Sequence, residues 1–113
     1  MKTSKADFRE FKKAFLEYVE LFGLKDYRIC FEHEDMGDTY ASLTYDVGER
    51  WVVAKLNTNI GSYWEGPRED AKHEALHLLL ASISVFAKER FITEDQIRIE
   101  VESIVVRLEK VIK

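Results

Sequence analysis

The chain has 113 residues, 46% of them hydrophobic and 34% charged, and carries a formal net charge of −4. That length permits one small domain around a single core, and the apolar content excludes a disordered tail, so residues 1–113 are expected to form one domain. The basic residues are scattered along the chain, which excludes the clustered positive charge typical of nucleic-acid-binding proteins.

The first predicted element is an amphipathic helix over residues 7–22. Its apolar side chains recur at intervals of three and four residues, the period of an α-helix: Phe8, Phe11, Phe15, Tyr18 and Phe22. Gly23 follows at the position where a helix C-cap is expected. The pattern therefore predicts a helix with one apolar face.

Three strand-like segments follow the helix. Residues 27–34 alternate in character and are rich in aromatic and β-branched side chains, and residues 36–38, Met-Gly-Asp, form a turn signal. Residues 39–45 and Trp51–Asn57 are two more such segments, and the link at 46–49 suits a hairpin. The middle of the chain is therefore predicted to be a small, mainly antiparallel three-stranded sheet.

Two helices are predicted in the C-terminal half. Pro67 suits the first turn of a helix that extends to about Lys88, and Glu69 and Asp70 favour its positive N-terminal end. Thr93 suits the N-cap of the last helix. The apolar stripe of that helix contains Ile97, Val101, Ile104, Val105, Leu108 and Ile112. This order of helix, three strands, helix and helix predicts the α+β class.

Neither a signal peptide nor a membrane span is indicated by the sequence. The N-terminal residues lack an apolar segment, and nowhere do about 18 apolar residues run together, as a spanning helix requires. The single cysteine, Cys30, excludes an internal disulfide and fits a reducing compartment. We expect a cytoplasmic protein without a membrane partner.

The motif His-Glu-x-x-His at residues 73–77 lies within the second predicted helix. Histidines four residues apart share one helix face, so both imidazoles can direct a nitrogen at the same point. Glu74 projects about 100° around the helix from His73 and can reach a metal-bound water without being a ligand. The pattern predicts a zinc site at His73 and His77, with Glu74 as a general base.

Two other interpretations stay open at this point. The spacing also arises by chance, in which case the histidines would be hydrogen-bonded residues of a helical core or of a metal-free interaction protein. Alternatively, zinc would only stabilise a catalytically silent binding or accessory module, with a further ligand closing its fourth position. If a metal binds, two imidazoles and a carboxylate favour zinc or a similar transition metal over calcium or magnesium.

A catalytic zinc site commonly has three protein ligands, and no histidine follows His77. The last predicted helix supplies acidic side chains instead, at Glu94, Glu100, Glu102 and Glu109. Glu94 lies in the first turn, where it stabilises the helix N-terminus. Glu100 and Glu102 lie on opposite flanks of the apolar stripe, each roughly 90° to 110° from its middle. Periodicity therefore leaves both as candidates for the third ligand.

Three segments of the chain resemble a known family. HEALHLLL (73–80), IEVESIVVRLEKVI (99–112) and FGLKDYRICFEHED (22–35) are similar to the small, often phage-encoded metallopeptidases of the gluzincin type, called minigluzincins. The resemblance covers nearly the whole chain and implies a minimal zincin-like scaffold that hydrolyses a peptide or protein substrate. It implies zinc ligation by His73, His77 and a glutamate of the last helix. Register against the closing VVRLE makes that glutamate Glu100, with Glu102 as the alternative.

The resemblance also implies that the substrate binds antiparallel to an edge strand of the sheet. Trp51–Asn57 is the expected strand, and its substrate-binding residues are Val52, Ala54 and Leu56.

Larger gluzincins provide a histidine or tyrosine beyond the ligand helix to stabilise the oxyanion, but no such residue follows Glu100 in this chain. The tyrosines that remain as candidates for that role are Tyr40, Tyr45 and Tyr63.

Overall fold

The structure, a computed structural model, describes residues 1–61, 63–89 and 91–112. Within these residues it contains four helices and one three-stranded sheet, which confirms the α+β class. Helices α1 (Lys5–Leu21) and α2 (Pro67–Leu79) pack against each other and against one face of the sheet, so the core lies between the helix pair and the sheet. None of the helices in the described ranges has both the length and the apolar character needed to cross a membrane.

Helix α1 begins at a capping box. The Ser4 hydroxyl accepts a hydrogen bond from the Asp7 N–H, and the Asp7 carboxylate accepts one from the Ser4 N–H. The buried face of the helix carries Phe11 and Phe15, whose rings meet the ring of Phe31 edge to face. The first predicted helix is therefore confirmed, with an earlier start than its apolar pattern indicated.

The sheet contains β1 (Arg28–Glu34), β2 (Ala41–Asp46) and β3 (Trp51–Asn57), in the spatial order β1-β3-β2. β2 and β3 form the predicted antiparallel hairpin. β1, however, pairs with β3 in parallel. The sheet is therefore mixed, and the prediction of a mainly antiparallel sheet is wrong.

The side chain of Asn57 explains why β1 and β2 are not neighbours. It is fully buried, and its amide donates to the carbonyls of Gly37 (2.9 Å) and Thr39 (2.7 Å). The side-chain carbonyl of Asn57 accepts a hydrogen bond from the Met36 N–H at 3.2 Å. These bonds hold the β1–β2 connection across the end of β3, so the turn predicted at 36–38 leads the chain past β3 instead of back along β1.

Because β3 is the central strand, the prediction that it receives a substrate at a sheet edge is wrong. Its backbone is hydrogen-bonded to β1 on one side and to β2 on the other. Val52, Ala54 and Leu56, the predicted substrate-binding residues, are each 0% exposed and belong to the core. The edge strands are β1 and β2.

The second predicted helix is divided in two. α2 ends before Leu80, whose ψ of 2° departs from the helical value of about −42°, and α3 (Ala81–Lys88) follows. Ala81 and Ser82 lie three and four residues after the buried Leu78, so both continue the buried face of α2. In the structure Ala81 is fully buried and Ser82 is half-buried. No glycine or proline marks the break, so the periodic pattern alone predicted one helix.

The last helix, α4 (Glu94–Val111), starts as predicted after Thr93, whose hydroxyl accepts a hydrogen bond from the Gln96 N–H. Its single buried residue is Ile104, and it packs mainly against α3. Other members of the predicted apolar stripe are exposed, namely Ile97, Val101, Val105 and Ile112. α4 is therefore held to the rest of the molecule by a small apolar contact.

Arg68 ties α2 to α1. Its guanidinium donates to the carboxylates of Glu10 and Glu17, each at 2.8 Å. The hydrogen bond from Arg68 lowers the pKa of Glu17, and the two carboxylates raise the pKa of Arg68. This bridge fixes the first turn of α2, and with it the start of the helix that carries the histidines.

Candidate metal and peptide-binding site

His73 and His77 lie one turn apart on the same face of α2, and both side chains are exposed. Their Nε2 atoms are 3.2 Å apart and their ring centroids 4.8 Å apart. The predicted convergence of the two imidazoles is confirmed. The interpretation of the pair as buried core histidines is wrong, because neither ring lies in the core.

The geometry of the pair fits a metal ion. At 3.2 Å one imidazole must donate its N–H to the lone pair of the other, since two lone pairs at that distance would repel. If zinc replaced the proton between the two nitrogens, both imidazoles would be neutral and could serve as ligands. They would fill two of the four positions of a tetrahedral zinc site. The donor type and the convergence of the two atoms therefore suit zinc.

Glu74 is a largely buried residue beside this pair. It is 5% exposed, no residue in the described part of the chain forms a hydrogen bond with its carboxylate, and the carboxylate oxygens keep contact with solvent. Burial raises the pKa of Glu74 above its ordinary value, although His73 and His77 oppose the increase. A carboxylate in this environment holds a proton more strongly than an exposed one, which suits a general base.

Sequence reasoning missed the contact between Trp64 and Asp70. The Trp64 Nε1–H donates to Asp70 Oδ2 at 2.7 Å, which fixes the loop before α2 to the first turns of the helix. Burial raises the pKa of Asp70, and the bond from Trp64 and the proximity of His73 oppose that increase. The sequence offered one signal for this contact, because Asp70 is an acidic residue three positions before His73. The pattern assigned Asp70 only to the stabilisation of the helix N-terminus.

β2 is the strand that borders the histidines. A groove of about 320 Å³ lies between them, lined by Ala41, Ser42, Leu43, Tyr45, His73, Glu74 and His77. The Asn57 N–H donates to the Tyr40 carbonyl at 2.9 Å, and bonded and non-bonded pairs alternate along an antiparallel pair. The backbone groups of Ala41, Leu43 and Tyr45 therefore face away from β3, at the open edge of the sheet.

A larger groove of about 570 Å³ adjoins the first and shares Ala41, His73 and Glu74 with it. Its other walls come from the segment before α2 and from the N-terminal half of that helix. The two grooves meet at these shared residues, and together they form the cleft beside the histidine pair.

All three tyrosines considered for oxyanion stabilisation line this cleft. Tyr40 and Tyr63 contribute to the larger groove and Tyr45 to the smaller one. The Tyr40 hydroxyl already donates to the Tyr63 carbonyl at 2.8 Å. The phenols of Tyr45 and Tyr63 form no hydrogen bond with the described residues, so they are the two whose hydroxyls are not already engaged as donors.

Neither candidate for the third ligand lies with the histidines. Glu100 Oε2 accepts a hydrogen bond from the Ser82 hydroxyl at 2.5 Å, between α3 and α4. Glu102 lines a different groove, between the end of α1 and α4. Across residues 1–61, 63–89 and 91–112, no three histidine, cysteine, aspartate or glutamate side chains form a group that could hold a metal. The third ligand remains a prediction.

The remaining histidine, His33, has a structural role. Its Nε2 lies 2.6 Å from Thr3 Oγ1, and its ring stacks on Phe8 at 4.7 Å. The Thr3 hydroxyl donates its one proton to the main-chain carbonyl of Asn57 at 2.8 Å. It therefore accepts a hydrogen bond from the Nε2–H of His33. This network anchors the N-terminal segment to the ends of β1 and β3.

Comparisons of the chain with models of known protein families, with curated protein sequences and with solved structures find no match. The functional interpretation therefore depends on the geometry of the cleft and on the resemblance carried by the three sequence segments.

Proposed function

We propose that this protein is a zinc-dependent peptide-bond hydrolase, with His73 and His77 as zinc ligands and Glu74 as the general base. The observation that carries the proposal is the convergence of the two Nε2 atoms, 3.2 Å apart, beside the carboxylate of the largely buried Glu74. Partial desolvation of this carboxylate, which lines a groove beside the histidines, costs folding free energy. A catalytic role in proton transfer explains why the chain carries that cost at this position.

A third protein ligand would complete the metal site, and we assign Glu100 to it, with Glu102 as the alternative. Ser82 holds Glu100 between α3 and α4, so ligation requires α4 to move toward α2. Such a movement would disturb the apolar contact that α4 makes through Ile104, Leu108 and Val111, of which only Ile104 is buried.

Zinc, when bound, supplies a Lewis acid that lowers the pKa of a coordinated water to about 7. Glu74 would accept a proton from the attacking water and later deliver it to the leaving amine. Its position at the wall of the groove beside both histidines would serve both steps, since one carboxylate could take the proton and return it.

The open edge of β2 would position the substrate. An extended peptide pairing with the outward backbone groups of Ala41 and Leu43 would pass along the smaller groove, beside His73 and His77. Grooves of this size hold a few residues, so we propose an extended segment as substrate and not a folded domain.

A zinc-binding accessory module is the second candidate function. It is favoured by one observation, namely that the described residues place two imidazoles together while Glu100 is occupied by Ser82. Such a module would use the histidine pair for partner recognition or stability and would not cleave peptides.

Hydrolysis of an internally quenched peptide library by the zinc-loaded protein tests the proposed activity. We expect cleavage that a chelator removes, that added zinc restores and that His77→Ala abolishes. Zinc bound at His73 and His77 without cleavage of any peptide would favour the accessory module and reject the hydrolase.

A further inference from the structure

We infer that the larger groove of the cleft binds the cationic side chain of a lysine or arginine in the peptide substrate. This inference rests on the proposed function, because it names the substrate class of the same cleft. The lining includes four carboxylates, one lysine and three aromatic rings. The carboxylates are those of Glu65, Glu69, Asp70 and Glu74, the lysine is Lys72, and the rings belong to Tyr40, Tyr63 and Trp64.

The carboxylates of the groove exceed the positive charge available to neutralise them. Lys72 Nζ lies 3.0 Å from Glu69 Oε2 and compensates that charge. Asp70 accepts the Trp64 N–H, which leaves its charge in place. Glu65 has no ion-pair partner in the described part of the chain, and its charge acts on both Asp70 and Lys72. An added cation would therefore be attracted to this end of the groove.

Glu74 adds a carboxylate at the wall that the two grooves share. The residue is 5% exposed, and its oxygens face the solvent of the cleft without a hydrogen-bond partner among the residues that the structure describes. Zinc at His73 and His77 would compensate charge near that end of the cleft. Glu69 lies one turn before His73, about 6 Å away along the helix axis, so the charge near Glu65 and Glu69 would remain available to the substrate.

The aromatic rings determine which kind of cation fits. Trp64 is held in place by its bond to Asp70, and Tyr40 is held by its bond to the Tyr63 carbonyl. Aromatic faces attract a lysine or arginine head group, and they pack well against its hydrocarbon stem. Carboxylates alone would attract any cation, whereas this combination selects a long side chain with a charged end.

Peptide binding measured by calorimetry on the zinc-loaded Glu74→Gln protein tests the inference without interference from cleavage. The probes are three nonapeptides that differ only at the central residue, which is lysine, norleucine or glutamate. We expect the lysine peptide to bind about tenfold more tightly than the norleucine peptide, and the glutamate peptide to bind most weakly. The lysine preference should decrease as salt concentration rises.

Two further variants, each made in the same Glu74→Gln background, assign the preference to the groove. Adding Glu65→Gln and Glu69→Gln should remove the difference between the lysine and norleucine peptides. A matched control adds Glu49→Gln and Glu109→Gln, which removes two charges at exposed positions outside the groove and should leave the difference unchanged. Equal affinities of the lysine and norleucine peptides, or no binding of any peptide, would overturn the inference.

Parallel cleavage assays with the zinc-loaded wild-type protein separate this inference from the proposed function. Lysine-dependent binding without hydrolysis would retain the cationic subsite and reject the peptidase. Hydrolysis of all three peptides at equal efficiency would retain the peptidase and reject the subsite.

Discussion

Glu74 is largely buried although the two histidines of the motif, His73 and His77, are exposed. A helix turns about 100° per residue, so a residue next to a ligand points toward the side of the ligand face, here into the cleft beside β2. The spacing of the motif was therefore sufficient to predict which residues meet. The hydrogen bond between Trp64 and Asp70 could not be predicted, because it depends on how the loop before α2 folds.

Replacing Glu74 by glutamine should separate catalysis from metal binding. Glutamine has the same shape but cannot accept a proton, so we expect peptide cleavage to fall by about 10²-fold or more while zinc binding is retained. The metal-free variant should be no less stable than wild type, because the carboxylate has no hydrogen bond to lose within the described residues. Cleavage rates, zinc content and thermal unfolding of the same preparation provide the measurements. Undiminished cleavage would exclude Glu74 as the base.

At the scale of elements, the sequence predicted the types and approximate positions of the helices and strands but not how the strands are ordered. Alternation of side chains identified β3 as a strand, but its place between β1 and β2 follows from its backbone pairing on both sides and from the turn that Asn57 holds across its end. The break at Leu80 was also missed, because neither glycine nor proline marks it. The strand order depends on packing between distant residues, on which a local pattern carries no information.

The edge role of β2 can be tested with two proline substitutions. The N–H of Ala41 faces the open edge, so Ala41→Pro should leave the sheet intact and reduce peptide binding about tenfold, because one main-chain hydrogen bond to the substrate is lost. The N–H of Ser42 faces β3, so Ser42→Pro should destabilise the fold by about 2 kcal/mol. Urea unfolding and peptide titration measure the two effects. Unchanged peptide binding by a folded Ala41→Pro variant would exclude β2 as the substrate strand.

The bridge from Arg68 to α1 should make stability depend on pH. Arg68 lowers the pKa of Glu17 in the folded protein, so the contribution of this carboxylate is present above its ordinary value of 4.5 and is lost as the pH falls through the lowered pKa. The melting temperature of Arg68→Gln should therefore fall below that of wild type at pH 7, and the difference should shrink in acid. Arg98→Gln, which breaks an exposed pair within α4, is the matched control and should show little change. A difference that is independent of pH would contradict this account of the bridge.

At the scale of the whole molecule, α4 extends from the rest of the fold. The radius of gyration is 15.2 Å, whereas a compact domain of this length is expected to have about 13 Å. The position of α4 could not be predicted from the sequence, because the pattern gives a helix and its apolar stripe but not its packing partner. The convergence of two residues of one helix was thus predicted correctly, whereas a third ligand from a second helix stays a prediction.

Ligation by Glu100 predicts that zinc makes the molecule more compact. Small-angle scattering should show the radius of gyration of wild type decreasing toward about 13 Å when zinc is added. Glu100→Ala should bind zinc more weakly and remain extended, whereas Glu102→Ala should respond as wild type does. Compaction lost in Glu102→Ala and kept in Glu100→Ala would transfer the ligand role to Glu102.

The most direct test of the central claim is the zinc content of the purified protein after dialysis, measured by elemental analysis for wild type and His77→Ala. The convergence of the two Nε2 atoms predicts close to one zinc ion per chain in wild type and a loss of that zinc in the variant. Absence of zinc from wild type, even after zinc is added back, would contradict the metal site and with it the proposed hydrolase.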